Sequence, residues 1–101
     1  MLRKARNNAI RTGRDTVVTF DLDQNMAAFG NEEDSLAWSD AVKITAVIAE
    51  SERVDSNRGN IRFFGNGGST GGKLHLRTSK LAYDVSVDWL LGTVEVKKSD
   101  A

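Results

Sequence analysis

Residues 82–96 read AYDVSVDWLLGTVEV, and this stretch carries the clearest structural pattern in the chain. Apolar side chains alternate with Asp and Ser from Tyr83 to Trp89, which is typical of a strand with one buried face. We therefore predict a strand over residues 82–89, with Trp89 in the hydrophobic core. The following Leu-Leu-Gly sequence is predicted to turn the chain into a last strand over residues 93–96.

Short strands with similar alternation fill most of the chain before this stretch. We predict them at residues 16–22, 26–29, 42–48, 61–64 and 73–78, and a helix is the competing interpretation of residues 42–48. The first three of the four connections between them are a hairpin loop at residues 23–25, an acidic loop at residues 31–40 and a polar connection at residues 51–60. The pattern gives about seven strands, mostly in meander order, which fits antiparallel sheets with one solvated face.

Residues 1–13 are predicted to form a helix. Leu2, Ala5, Ala9 and Ile10 fall on one helical face, and Gly13 is a natural C-terminal stop. A helix this short, with so narrow an apolar stripe, is marginal alone. It must therefore dock on the strands or be the end of a longer helix, and the predicted fold class is α+β.

Composition limits the classes of protein to which the chain can belong. Its 101 residues make one domain, and the absence of cysteine excludes disulfide scaffolds, thiolate metal sites and cysteine catalysis. Lys plus Arg equals Asp plus Glu at 14 each, so the zero net charge argues against a general nucleic-acid-binding surface. The charge is uneven, however: residues 1–14 carry five cations and no acid, whereas residues 31–55 carry seven acids and two cations.

The motifs that usually carry chemistry are incomplete here. His75 alternates with Leu74 and Leu76, so it is predicted on the polar face of a strand, without an acid at ligand spacing. Residues 21–25 begin like a calcium loop, but Met26 stands where such a loop requires glycine. The glycine-rich residues 65–72 lack the Lys-Ser or Lys-Thr and the following helix of a phosphate loop, and are interpreted as a hairpin loop. We predict no catalytic residue, no metal site and no cofactor.

Taken together, two separate stretches resemble the C-terminal region of the GspH-like minor pseudopilins of bacterial type II secretion systems. Residues 61–72 read IRFFGNGGSTGG, similar to the family's aromatic strand and Pro-Asp-Gly-Ser-Ser-Thr-Gly-Gly loop, and residues 85–94 read VSVDWLLGTV, similar to its Val-Asp-Trp-Leu-Thr-Gly-Arg-Val ending. Residues 5–14 and 17–21 also resemble the end of the pilin helix and the first strand, whereas residues 30–58 match nothing in the family. The positions that carry the motif are Phe63, Phe64, Gly67, Ser69, Thr70, Gly71, Gly72, Val87, Asp88, Trp89 and Gly92.

The resemblance implies a single periplasmic pseudopilin domain over residues 1–101, with residues 1–13 as the end of the pilin helix and residues 14–101 as a β-rich part in two small sheets. The family's processing site and apolar helix do not occur in the sequence, so we expect a chain that begins inside the long helix. In the family that helix crosses the bacterial inner membrane once and the domain faces the periplasm.

The implied function is non-enzymatic. A minor pseudopilin joins a short filament, at or near its tip, and helps to export folded proteins across the outer membrane. The implied partners are other pseudopilins, major and minor, and secreted cargo, with the membrane contacted only through the absent helix and no nucleic acid expected. The residues predicted to contact a neighbouring subunit are Leu2, Arg3, Ala5, Arg6, Ala9 and Ile10. We expect Ala5→Glu or Ala9→Glu to block incorporation while the domain still folds.

Two alternatives stay open. One is a type IV pilus minor pilin of the FimT/FimU kind, serving adhesion, motility or DNA uptake, although Lys97 and Lys98 are the only basic cluster near the C-terminus. The other is a stand-alone β-sandwich binding module, which a deep apolar pocket near Trp38 or Trp89 would favour.

Overall fold

A computed structural model describes residues 1–29 and 34–99 of the chain. Within them the elements follow in the order α1 (Leu2–Thr12), β1 (Thr16–Asp21), β2 (Met26–Phe29), β3 (Asp34–Ala37), β4 (Lys43–Ile48), β5 (Arg58–Phe63), β6 (Gly72–Arg77), β7 (Ala82–Val87) and β8 (Val94–Lys98). A short 3₁₀ turn, Glu50–Glu52, lies between β4 and β5. The predicted α+β class, one N-terminal helix on antiparallel strands, is confirmed.

The strands form two antiparallel four-stranded sheets, with the orders β3-β2-β1-β5 and β4-β6-β7-β8. Hairpins connect successive strands in two groups, β1-β2-β3 and β6-β7-β8, as predicted for a meander. The strands β4 and β5 break the meander, because β4 joins the second sheet before β5 returns to pair with β1 in the first. Residues 42–48 are thus a strand rather than the competing helix.

The helix packs on the inner face of the first sheet. Ala5 and Ala9 are fully buried there and are part of one core with residues of both sheets. Their small side chains allow the helix to approach β1 closely. The largest fully buried side chains are those of Val18, Ile61 and Phe63, on β1 and β5. Gly13 ends the helix in the left-handed conformation, with φ 68°.

Several predicted boundaries differ from the structure. Residues 34–37, predicted as part of an acidic loop, form the edge strand β3, while residues 31–33 of that loop lie outside the described residues. This eighth strand was missed because Asp-Ser-Leu-Ala is short and has weak β propensity. Strand β5 begins three residues earlier than predicted, at Arg58, and β7 ends two residues earlier, at Val87.

Candidate assembly surface

The glycine-rich loop and the turn after β7 are joined to each other by hydrogen bonds. The Ser69 amide donates to the carbonyl oxygen of Trp89, and the Ser69 hydroxyl donates to that of Asp88, both at 2.9 Å. The same hydroxyl oxygen accepts a hydrogen bond from the Gly71 amide at 2.9 Å. Ser69 is buried, so all three bonds are shielded from water. The two stretches on which the family resemblance rests therefore form one structure.

Each stretch is also held by its own hydrogen bonds. Asp88 Oδ1 accepts from the amides of Leu90 and Leu91, at 2.8 Å each, and so caps the turn. On the loop side, the amide of Arg62 donates to the Thr70 hydroxyl at 3.1 Å, and the Thr70 amide donates to the Arg62 carbonyl at 2.9 Å. The loop is thus tightly wound, and Ser69, Thr70 and Asp88 have structural roles.

Glycine permits the close contact between loop, turn and helix at two positions. Gly92 has φ 67°, and a Cβ there would overlap the carbonyl oxygen of Gly67 and lie 3.2 Å from Arg6 Nε. Gly65 approaches the helix end, where a Cβ would overlap the carbonyl group of Gly13. This approach gives a physical reason for Gly-Asn in place of the family's Pro-Asp at residues 65–66.

Two arginines fasten α1, one to the turn and one to the start of β8. Arg3 Nη2 donates to the carbonyl oxygen of Val94 at 3.0 Å. Arg6 donates to the carbonyl oxygen of Leu91 through both Nε, at 3.3 Å, and Nη2, at 3.1 Å. These bonds fix the guanidinium group of Arg6 beside the turn and that of Arg3 beside the start of β8. Among residues 1–29 and 34–99, neither group forms an ion pair with a carboxylate.

The turn presents three consecutive large apolar side chains to solvent. Trp89, Leu90 and Leu91 are 68%, 63% and 59% exposed. The prediction that Trp89 belongs to the core is therefore wrong. Strand β7 ends at Val87, so Trp89 is no longer in the alternation that buries Val87, and its Cβ lies against Gly71 instead.

Ile10 extends this apolar surface onto the helix. It is 45% exposed, and its Cδ1 atom lies 3.9 Å from the Cβ position of Gly67, which in turn contacts Gly92. We call the surface formed by Ile10, Trp89, Leu90 and Leu91 the apical ridge. It lies next to Arg6, so the helix and the two motif stretches meet in one exposed apolar and basic area.

The residues predicted to contact a neighbouring subunit fall into two groups. Ala5 and Ala9 are 0% exposed and pack against their own domain. They are not available to a partner, and a Glu at either position would place a charge in the core, so the expectation that such variants still fold is corrected. Leu2 is half-buried beside the core, whereas Arg3, Arg6 and Ile10 line the apical ridge or the adjoining part of β8.

An open apolar groove occupies the other end of the helix. It has a volume of about 420 Å³ and lies between the inner faces of the two sheets. Met1 and Leu2 line it from the helix, Leu36 and Trp38 from the first sheet, and Val96 from the second. A deep apolar pocket near Trp38 would favour a binding module, and the structure has an open apolar groove there.

The solvated face of the second sheet carries a short hydrogen bond between two strands. His75 Nδ1 and Asp84 Oδ1 lie 2.6 Å apart on neighbouring strands. This hydrogen bond holds the pKa of Asp84 below its ordinary value. The sequence has no acid at ligand spacing from His75; Asp84 is nine residues distant in sequence and comes close only through strand pairing.

Two short ion pairs join the segment between β4 and β5 to strand β5. Arg58 Nη2 lies 2.7 Å from Asp55 Oδ2, and Arg62 Nε lies 2.7 Å from Glu52 Oε1. The hydrogen bond from Arg58 lowers the pKa of Asp55. In the described part of the chain, no three His, Asp or Glu side chains are grouped as a metal site, and no helix has the length and apolar character needed to cross a bilayer.

Three solved structures of pilin-type proteins are similar to this chain in fold. The minor pseudopilin EpsH from the type 2 secretion system of Vibrio cholerae matches with a TM-score of 0.74 at 14% identity, over 99% of this chain and 90% of that chain. A second EpsH structure matches with a TM-score of 0.70 at 12% identity, over 95% and 87%. The type IV minor pilin FimU of Pseudomonas aeruginosa matches with a TM-score of 0.70 at 13% identity, over 100% and 86%.

These likenesses define the class: the chain has the helix-and-two-sheet fold of pilin-type domains. The family model described as type II transport protein GspH matches residues 1–91, which include the helix, the stretch 61–72 and residues 85–91 of the second motif stretch. The chain therefore belongs to the GspH family and is a GspH-like pseudopilin. A search of curated proteins gives no significant match.

Proposed function

We propose that this protein is a non-enzymatic minor subunit of the type II secretion pseudopilus. It joins the other pseudopilins at or near the filament tip and aids the export of folded proteins across the outer membrane. Its full-length form is anchored in the inner membrane by a single N-terminal helix, and the domain described above lies in the periplasm. A peptidase removes the family's leader, and an assembly ATPase elsewhere supplies the energy, so this chain needs no nucleotide site.

The observation that carries the proposal is the way α1 is held. One face of the helix is fixed to the domain by the buried Ala5 and Ala9 and by the bonds of Arg3 and Arg6. Asn7, Ile10 and Arg11 remain exposed. A subunit of a helical filament needs this combination, because its helix must carry the domain rigidly while an open face meets neighbouring subunits.

The test is deletion of the gene in its own bacterium, followed by complementation with the full-length protein. We expect the secreted enzymes of the type II system to accumulate in the periplasm of the deletion strain and to return to the medium on complementation. Surface motility driven by type IV pili serves as the control and should stay unchanged. Normal secretion in the deletion strain would refute the proposal.

The type IV minor pilin remains the second candidate, because the fold of FimU matches this chain nearly as well as that of EpsH. Loss of motility with intact secretion in the same strain would establish it. DNA uptake would further require duplex DNA binding that weakens steeply with salt. Lys97 pairs in register with the acidic Asp84, which reduces the local positive charge on β8.

The open apolar groove beside Trp38 allows a test of the binding-module hypothesis. Leu36→Ser and Val96→Ser would make the groove polar at two exposed positions without touching the apical ridge. A binding module would lose its function with these changes, whereas a pseudopilus subunit that assembles through its helix would secrete normally.

A further inference from the structure

Strand β8 has an open edge. In the described part of the chain it pairs with β7 on one side and with no strand on the other. The outer edge of β5, by contrast, is covered by neighbouring segments, through the bridges of Arg53 with Gly59 and of Phe63 with Ser69. An uncovered edge offers a row of backbone N–H and C=O groups to another strand.

The pairing of β7 with β8 determines which backbone groups point to that edge. The Asp88 amide donates to the Thr93 carbonyl at 3.0 Å, and the Ser99 amide donates to the Ala82 carbonyl at 2.8 Å. Along an antiparallel strand, residues that bond to the neighbouring strand alternate with residues whose N–H and C=O groups point away from it. Because Thr93 and Ser99 bond to β7 at either end, the even-numbered residues of β8 direct their backbone groups to the open edge.

Arg3 contacts the first of these groups. Its Nη2 donates to the Val94 carbonyl at 3.0 Å, which agrees with a carbonyl directed away from β7. A carbonyl oxygen has two lone pairs, so Val94 can also accept a hydrogen bond from another strand. Val96 and Lys98 follow on the same edge, and both side chains are exposed. Their edge-facing backbone groups have no partner among the residues that the structure describes.

The side chains of β8 complement those of a second β8. Glu95 and Lys97 lie on the same solvated face, and neither has an ion pair within the described ranges 1–29 and 34–99. If two β8 strands pair antiparallel about Val96, each Glu95 lies opposite the Lys97 of the other copy. The edge-facing backbone groups are then aligned as well, because Val96 faces Val96. Opposite charges directly across two strands attract each other.

Charge also selects this register over its neighbours. A pairing centred on Glu95 would place two glutamates opposite each other, and one centred on Lys97 would place two lysines opposite each other. Lysines commonly protect an edge strand for this reason, but the register centred on Val96 gives each Lys97 a glutamate. The edge strands β3 and β4 lack such complementarity, since β3 has an acid without a base and β4 a base without an acid.

We propose that two copies of this chain associate in solution through their β8 strands, paired antiparallel about Val96. The contact joins the two four-stranded second sheets into one continuous antiparallel sheet. It is two-fold symmetric, so each copy uses the same residues, Val94–Lys98. A contact along one short strand is small, so the association is weak and depends on protein concentration. The proposal goes beyond the proposed function and does not depend on it.

Disulfide crosslinking of the purified 101-residue chain tests the register. The chain has no cysteine, so Val96→Cys introduces one thiol in each copy. In the proposed pairing the two Cα atoms at this position are about 5.5 Å apart, a distance that a disulfide spans. Val54→Cys is the matched control, because Val54 is 59% and Val96 51% exposed. Under mild oxidation we expect about tenfold more disulfide-linked dimer from Val96→Cys than from Val54→Cys.

Charge reversal tests the pairing of Glu95 with Lys97. Lys97→Glu in the Val96→Cys chain should lower the dimer yield about tenfold, because glutamates would then face each other twice. Adding Glu95→Lys restores opposite charges across the strands, so this double change should recover the yield. Both positions are exposed, and urea denaturation shows that each variant is folded. Lys97→Gln, which removes the attraction without adding a charge, replaces any variant that does not fold and should also lower the yield.

Several outcomes overturn the proposal. They are equal dimer yields at Val96 and Val54, a yield that Lys97→Glu leaves unchanged, and a double change that does not recover the yield. Sedimentation of the unaltered chain as a monomer at its highest soluble concentration also refutes it. If Val96→Cys crosslinks to a different protein in cells while the purified chain forms no dimer, the edge belongs to that protein and the association of two copies is wrong.

Discussion

The hydroxyl group of Ser69 donates a hydrogen bond to the carbonyl oxygen of Asp88 at 2.9 Å, across 19 positions of sequence. This bond joins the glycine-rich loop to the turn that carries the apical ridge. Since the same oxygen also accepts from the Gly71 amide, one buried side chain holds both the loop and the turn in place. Serine or a residue of the same size and polarity is therefore required at this position.

Replacement of this serine measures the strength of the junction. Ser69→Ala removes a buried hydroxyl and leaves the Gly71 amide and the Asp88 carbonyl without that partner, so we expect a loss of about 1–3 kcal/mol in the free energy of unfolding. Urea denaturation of the domain provides the measurement. Ser79→Ala, in the exposed turn between β6 and β7, is the control, and equal midpoints for both variants would contradict the structural role of Ser69.

Trp89 should contribute little to stability despite its size. Its side chain is 68% exposed, so we expect Trp89→Ala to cost less than about 1 kcal/mol. Phe63→Ala, at a position with 0% exposure, should cost about 3–5 kcal/mol in the same urea experiment. If Trp89→Ala lowers the free energy of unfolding as much as Phe63→Ala does, the indole of Trp89 is buried in the core and the exposed position described above is wrong.

The buried alanines of α1 should be essential for docking of the helix. Ala9→Glu would place an unpaired charge where the structure leaves no exposed surface, so we expect a loss of more than about 3 kcal/mol. Asn7→Glu, on the exposed side of the same helix, is the matched control and should change stability by less than about 0.5 kcal/mol. Thermal unfolding followed by circular dichroism compares them. A domain that tolerates Glu at position 9 would mean that the helix does not dock as described.

Acidification should lower the free energy of unfolding slightly, because it protonates Asp84. Its pKa is lower in the folded protein because of the hydrogen bond with His75, so the folded state favours the ionised carboxylate. The contribution is complete above the ordinary carboxyl value of 3.8 and disappears as the pH falls through the lower folded value. Asp84→Asn should flatten the dependence of the unfolding midpoint on pH below about 4, whereas Glu95→Gln, an exposed neighbour on β8, should not. Identical acid profiles for the wild type and Asp84→Asn would exclude the effect.

The parts of the fold that depend on local pattern could be predicted from the sequence. The helix stop at Gly13, the alternation of Val18 and Phe20 in β1, and the turn at Gly92 all lie in short windows with strong preferences. The edge strand β3 could not, because its stability comes from pairing with β2 and not from its own residues.

Long-range register explains the errors at the site. The alternation that reaches Trp89 in the sequence stops at Val87 in the structure, where Asp88 starts a capped turn. His75 and Asp84 meet because β6 and β7 pair in one register, which no local pattern specifies. The two motif stretches were recognised by resemblance to a family, but their contact through Ser69 is visible only in three dimensions.

Because β4 lies in the second sheet and β5 in the first, the folding of the two sheets is linked. Along the chain, β4 belongs to the second sheet but comes before β5, which is the edge strand that completes the first sheet. No single cut between the two meanders leaves both sheets complete, because β4 precedes β5 along the chain but belongs to the later sheet. Neither half is an independent folding unit, so the two sheets should unfold together in one cooperative transition.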